Sequence, residues 1–301
     1  MICHRYRIYG LILESELACP GFVIVSEAKK VNTDVFVKTG AVPDELENVK
    51  ASGFKFQANP DHVLTKGIRA RMLVSKGTHV TIQPTEGTHE DVIRSLFMAW
   101  GLGALLHQRN IFPLHSSVIS LGKECVAFCA TSGTGKSSLS ALFVKRGYTL
   151  LDDNIAAIGL VNGTYMVYPG APVIKFSHDV LKKSGDFFSS LGTFQPFLDK
   201  YVVVVSQNCP ESPLPLKKIY VLTRSGQPGS ALSPLSGASR FESLMKNTFC
   251  PQFLRGMNKL SQHFGSVRSL ANQLPMVGVQ LPDWPTPYTE VADVLERDFL
   301  A

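Results

Sequence analysis

Ala130-Thr131-Ser132-Gly133-Thr134-Gly135-Lys136-Ser137 stands between an apolar run, Glu124-Cys125-Val126-Ala127-Phe128-Cys129, and a stripe of Leu139, Leu142 and Phe143 at helical spacing. The strict phosphate-loop pattern is G-x-x-x-x-G-K-[ST]. Ala130 replaces the first glycine, while Gly135, Lys136 and Ser137 are in place. The physical demands of binding a polyanion are still met. Successive backbone N–H groups from Ser132 through Gly133, Thr134 and Gly135 to Lys136 form a nest for an anion. The helix that starts at Lys136 and runs on through Ser137 and Ser138 adds a partial positive charge at its N-terminus. Gly133 and Gly135 allow unusual backbone angles and close approach. Lys136 reaches β- and γ-phosphates, and the Ser137 hydroxyl can bind Mg²⁺. Gly, Ser and Thr tracts are common, but a buried strand before the loop and an amphipathic helix after it set this one apart. The order strand, glycine loop, helix predicts an α/β nucleotide-binding domain.

Downstream, Gly147 is placed to stop the loop helix as a left-handed cap. Tyr148-Thr149-Leu150-Leu151 reads as the next strand and ends in Asp152-Asp153. In phosphate-loop folds that strand usually neighbours the loop, so a carboxylate there faces the γ-phosphate. It can hold Mg²⁺ or take the proton of an attacking hydroxyl. Turn chemistry is the competing explanation of the acidic pair. Residues 155–161 and 164–168 read as strands joined by Asn162-Gly163, a strong two-residue hairpin signal. Further strands are expected at 201–205, 219–222 and 277–281, helices at 238–249, 256–273 and 288–299, and loops at 183–199 and 208–216.

Upstream, residues 1 to about 88 are β-rich, with strand candidates at 22–25, 35–37, 54–56, 70–74 and 80–82 separated by turn residues. A helix is predicted over 89–108, where Val92, Leu96, Ala99, Leu102 and Leu106 recur at helical spacing. Asn110-Ile111-Phe112-Pro113 breaks it. The expected organisation is a smaller β-rich domain over 1–110 and a nucleotide-binding domain over 111–301.

The chain has 301 residues, with 45% hydrophobic and 18% charged, and a formal net charge of +6. That mild basic excess has no dense Lys/Arg run behind it, and an acidic ligand such as a nucleotide explains it as well as a nucleic acid would. Six cysteines include no CxxC pair, and Cys125 and Cys129 flank an apolar run as buried thiols do. The expected compartment is therefore reducing, hence cytoplasmic. No secretory signal is legible, and no stretch approaches the roughly 18 apolar residues that span a bilayer.

Leu114-His115-Ser116-Ser117, Ser132-Gly133-Thr134-Gly135-Lys136-Ser137, Lys145-Arg146-Gly147 and Asp153 fall in one register. In that register the segment 115–154 resembles the catalytic domain of HPr kinase/phosphorylase, and the likeness extends loosely over 111–300. It implies a mixed, antiparallel-rich sheet, ATP and Mg²⁺ as ligands, and serine phosphorylation. It also places His115 beside Asp153. The catalytic set implied is Asp153, His115 and Lys136; the metal set is Ser137, Asp152 and Asp153; the nucleotide set is residues 132–138. In the family the acidic pair aligns with Asp153 and Asn154, so the second acid is here an amide, and whether Asp152 replaces it stays open. The signature of the reverse, phosphorylase reaction is missing, and Pro169-Gly170-Ala171-Pro172 stands in that region. The opening Tyr6-Arg7-Ile8-Tyr9-Gly10 with Ala18-Cys19-Pro20 resembles a narrower group of such kinases, which phosphorylate the C-terminal serine of lasso peptide precursors. The expected acceptor is thus a peptide or small protein, with HPr or free serine as alternatives. A nucleotide-binding regulator without transfer activity is the reading of another class. HPr kinases are oligomers, and no interface signal in this chain carries that over.

Overall fold

The computed structural model describes residues 3–26, 31–131, 133–176, 192–195, 199–205, 209–224, 231–281 and 288–301. The expected loop residues 183–191, 196–198 and 208 lie outside the described residues. The chain divides into two units, Met1–Pro113 with Phe249–Ser266, and Leu114–Thr248 with Val267–Ala301.

In the first unit the strands are β1 (His4–Ile8), β2 (Leu11–Ser15), β3 (Val23–Ile24), β4 (Val35–Thr39), β5 (Ala51–Gly53), β6 (Phe56–Ala58), β7 (His62–Lys66), β8 (Ala70–Ser75) and β9 (His79–Pro84). They form one mixed sheet in the order β3-β1-β2-β4-β9-β8-β7-β6-β5. Buried and half-exposed residues alternate strictly along β8, the period of a strand with one face on a core. The candidate at 54–56 differs from what forms. Phe54 and Lys55 make the turn between β5 and β6, and Phe54 is 95% exposed. An aromatic in the turn and another just after it imitate strand alternation.

The helix expected at 89–108 is α1 (Glu90–Leu96) and α2 (Leu102–Gln108), joined by a π-helical turn over Phe97–Gly101. His89 caps its start, and Asn110, at φ 60°, follows its end in the left-handed region. Residues 249–266 belong with this unit because Phe253 packs edge-on against Phe56 and Trp100, at 5.3 and 6.0 Å between ring centres.

From Phe112 onward the strands are β10 (Phe112–Ser120), β11 (Cys125–Ala130), β12 (Thr149–Asp152), β13 (Ile155–Val161), β14 (Thr164–Tyr168), β15 (Val173–Phe176), β16 (Gly192–Gln195), β17 (Lys200–Val204), β18 (Leu214–Arg224), β19 (Ala231–Pro234) and β20 (Met276–Leu281). The helices are α3 (Lys136–Lys145), α4 (Gly237–Lys246), α5 (Leu260–Gln273) and α6 (Tyr288–Leu300). The class is mixed α/β. β11 is buried along its whole length, pairs antiparallel with β10 and parallel with β18, and β18 pairs parallel with β20. Near its start β18 also pairs with β14, so sheet neighbours change along this long strand.

Phe128, Phe143, Tyr220 and Phe299 fill the core beside β11, with Phe128 stacked between Phe143 and Tyr220 at 5.4 Å to each. Each such burial contributes roughly 1.5–3 kcal/mol. Gly147, at φ 93°, ends α3 as expected, with its N–H on the Val144 carbonyl. Asn162 and Gly163 both take positive φ in the β13–β14 hairpin, at 48° and 81°, the geometry of a tight primed turn.

The strand after the loop helix, β12, pairs with β10. β11 has β10 on one edge and β18 on the other, so β12 takes the remaining edge of β10, which it shares with β13. Asp153, just after β12, still interacts with Ser137 and Lys136 at the loop. Two expectations are corrected. Residues 192–195, read as loop, are β16 and pair with β17. Leu214 to Leu216, also read as loop, open β18, which therefore starts earlier than the expected 219.

Candidate active site

The loop between β11 and α3 is described from Thr131 and from Gly133 onward; Ser132, placed in the phosphate nest by the sequence, lies outside the described residues. Gly133 and Gly135 both take positive φ, 83° and 110°, which a residue with a Cβ rarely adopts. The Thr134 N–H donates to the Thr131 carbonyl at 3.2 Å, and the two threonine hydroxyls meet at 2.9 Å. Gly135 is the N-cap of α3, a ten-residue helix whose first N–H groups, beginning at Lys136, have no acceptor within the helix. Ser137 and Ser138 are half-buried in its first turn.

Lys136 is buried, and its Nζ has no hydrogen-bond partner among the described residues. Burial lowers its pKa, against the opposing attraction of Asp153, then Cys129 and Asp152. A buried ammonium without a hydrogen bond is costly. It sits at the one end of a helix that attracts anions. This orphaned donor, with the positive-φ loop beside it, fits a bound phosphate.

Asp153 is buried, and its Oδ1 accepts the Ser117 hydroxyl at 2.5 Å. Burial raises its pKa above the ordinary carboxylate range; the Ser117, Ser137 and Ser140 hydroxyls and the charge of Lys136 work against that rise. Asp152 has a different task. Its Oδ1 accepts the N–H groups of Asn154 at 2.7 Å and Ile155 at 2.9 Å, and its Oδ2 accepts that of Ala171 at 2.9 Å. Three backbone donors make it the organiser of the corner after β12. His115 lies on β10, two residues before Ser117. Burial first, and Lys136 second, lower its pKa to about 4, so its imidazole is neutral at pH 7. Its backbone N–H donates to the Asn247 carbonyl at 2.7 Å.

Lys136, Ser137, Ser140, Asp153 and Ser117 thus converge, and His115 is close enough to Lys136 to feel its charge. Among the described residues no three His, Cys, Asp or Glu side chains cluster as a metal cage. Mg²⁺ in phosphoryl-transfer sites takes one or two protein groups and completes its shell with phosphate and water; Ser137 and Asp153 suit that role.

Three residues escaped the sequence reading as parts of this site. Ser117 and Ser140 are fully buried serines, each on one face with a residue of the site, His115 at i−2 and Lys136 at i−4, and that spacing was the available signal. Tyr288, at the start of α6, had none. It reaches the loop, where its hydroxyl donates to the Thr134 carbonyl at 3.1 Å and receives Arg224 at 3.4 Å.

No family model matches the chain, and no curated protein does. Among solved structures it is similar to the HPr(Ser) kinase/phosphatase from Coxiella burnetii, at 9% identity and a TM-score of 0.33 over 62% of this chain and 90% of that one. A likeness that loose carries no argument about fold or activity. No described helix is long and apolar enough to cross a membrane.

Proposed function

We propose that the chain is a Mg²⁺-dependent kinase that transfers the γ-phosphoryl group of ATP to a serine hydroxyl of a peptide or small protein. One observation carries the reading: the buried Lys136 Nζ, without a hydrogen-bond partner among the described residues, lies at the N-terminus of α3, in the same cluster as the buried carboxylate of Asp153. The loop N–H groups and Lys136 hold the β- and γ-phosphates. Mg²⁺, when bound at Ser137 and Asp153, neutralises charge on the phosphates. Asp153 orients the acceptor hydroxyl and takes its proton; the serine oxygen forms the new bond to phosphorus, the bond from phosphorus to the bridging oxygen breaks, and ADP leaves. A carboxyl whose pKa burial has raised is a better base than an exposed one. Neutral His115, near enough to Lys136 to feel its charge, flanks this cluster.

The resemblance of the N-terminal opening favours the C-terminal serine of a lasso precursor as acceptor, in a cytoplasmic protein that needs neither nucleic acid nor membrane. A nucleotide-binding regulator without transfer is the second reading, favoured by Ala130 and Asn154. Incubation with Mg²⁺ and γ-labelled ATP, beside HPr, a peptide ending in serine, and free serine, separates them. Label on one acceptor supports the kinase and selects its substrate; ATP binding with label on none supports the regulator.

A further inference from the structure

The first unit holds a cavity of about 410 Å³, unrelated to the phosphate loop. Its floor is a cross-strand row. Met72 pairs with Thr65 on one side and Ile82 on the other, so the three share one face of the sheet. Its wall is α1 and the π-helical turn, which present Val92, Leu96, Phe97 and Trp100. At Gly101 the helix lies so close to the sheet that a Cβ would come within 2.9 Å of the Met72 sulfur. π-helical turns recur at functional sites because the extra residue shifts side chains off the helical register.

The cavity is apolar inside and basic outside. Lys55 and Arg69 line it, both exposed, and neither has an ion pair among the described residues. Their neighbours Lys66 and Arg71 are matched to Glu45 and Asp44. No Asp or Glu lines the cavity. The volume lies in the range of about 300–1,000 Å³ that holds small ligands. The apolar lining and the basic pair select an apolar body with one anionic head.

We propose that this cavity binds a long-chain carboxylate, its alkyl chain between Met72 and Phe97 and its head group between Lys55 and Arg69. Trp100 lines the cavity and reports occupancy. The chain has two tryptophans, so a Trp284→Phe background leaves Trp100 as sole emitter. Titration with dodecanoate should shift Trp100 emission saturably, below the concentration at which dodecanoate forms micelles. Octanoate should bind at least tenfold more weakly, since each methylene removed from apolar contact costs about fourfold in affinity. Lys55→Glu with Arg69→Glu, both at exposed positions, should weaken dodecanoate at least tenfold and leave dodecyltrimethylammonium no weaker than before. Val92→Phe, which fills the wall without adding an emitter, should abolish the response without changing the far-ultraviolet dichroism. No saturable response to dodecanoate would overturn the proposal. So would equal affinity for the cationic amphiphile in the wild-type chain, or a response lost through dimerisation as protein concentration rises, which would make a second copy the occupant.

Discussion

The corner after β12 and the cluster at the start of α3 each hold one of two adjacent carboxylates. Asp152 accepts three backbone N–H groups, at Asn154, Ile155 and Ala171. Asp153 meets serine hydroxyls and a buried lysine. The first arrangement satisfies a charge with fixed donors and ties the 152–155 corner to the segment at Ala171. The second leaves the Lys136 ammonium without a hydrogen bond among the described residues, beside a carboxyl whose pKa is raised, a local conflict that folding alone does not need. Such conflicts are characteristic of sites that await a ligand. On the function proposed above, neighbouring residues of one type divide into a structural part and a chemical one, and substitutions can pull them apart.

The largest effect is expected at Asp153. Asp153→Asn should lower phosphoryl transfer by about 10²–10⁴-fold, the scale of general-base loss, with ATP affinity retained in calorimetry. Loss of binding as well would mean that Asp153 serves structure or the metal alone and not as the base. Lys136→Met comes next. It should weaken ATP binding by about 100-fold, equivalent to about 2.7 kcal/mol, while raising the melting temperature of the nucleotide-free protein, because an unpartnered buried charge is removed. A lower melting temperature would mean that Lys136 is satisfied in the folded chain. Asp152→Asn should cost about 2–4 kcal/mol of stability, read as a lower denaturant midpoint with unchanged slope, since hydrogen bonds to a buried charge are each worth about 1.5–3 kcal/mol.

The smallest effect is at His115. Its folded pKa, about 4, lies below the ordinary 6.5, so the unfolded chain takes up the proton first. Its contribution to stability is full above about pH 6.5, declines as pH falls towards 4 and is then constant. His115→Gln should flatten the stability profile of the whole protein in that window by up to one proton. An unchanged slope would show that His115 is not held neutral by the fold.

The sequence made the local features legible where one residue type has one physical use. Gly147 stops α3 and Asn162-Gly163 turns the hairpin, because few residues accept those backbone angles. The loop and its helix were legible for the same reason. What stayed hidden depends on contacts between distant segments. β12 adds to β10 because both edges of β11 are taken, which no local pattern records. Phe253 joins the first unit through Phe56 and Trp100, nearly 200 and about 150 residues away in the chain. At the site, the motif identified Lys136 and the acidic pair, but the division of labour within that pair needed the positions of Ala171 and Ser117. Tyr288 reaches the loop from the start of α6, and a lone tyrosine announces nothing.

The most direct test measures label transfer from γ-labelled ATP to the accepted serine substrate, per folded molecule, for Asp152→Asn and Asp153→Asn side by side. The two carboxylates predict opposite outcomes: Asp152→Asn retains transfer despite its lower stability, and Asp153→Asn loses it while remaining folded. Transfer lost in Asp152→Asn and kept in Asp153→Asn would contradict the assignment of chemistry to Asp153.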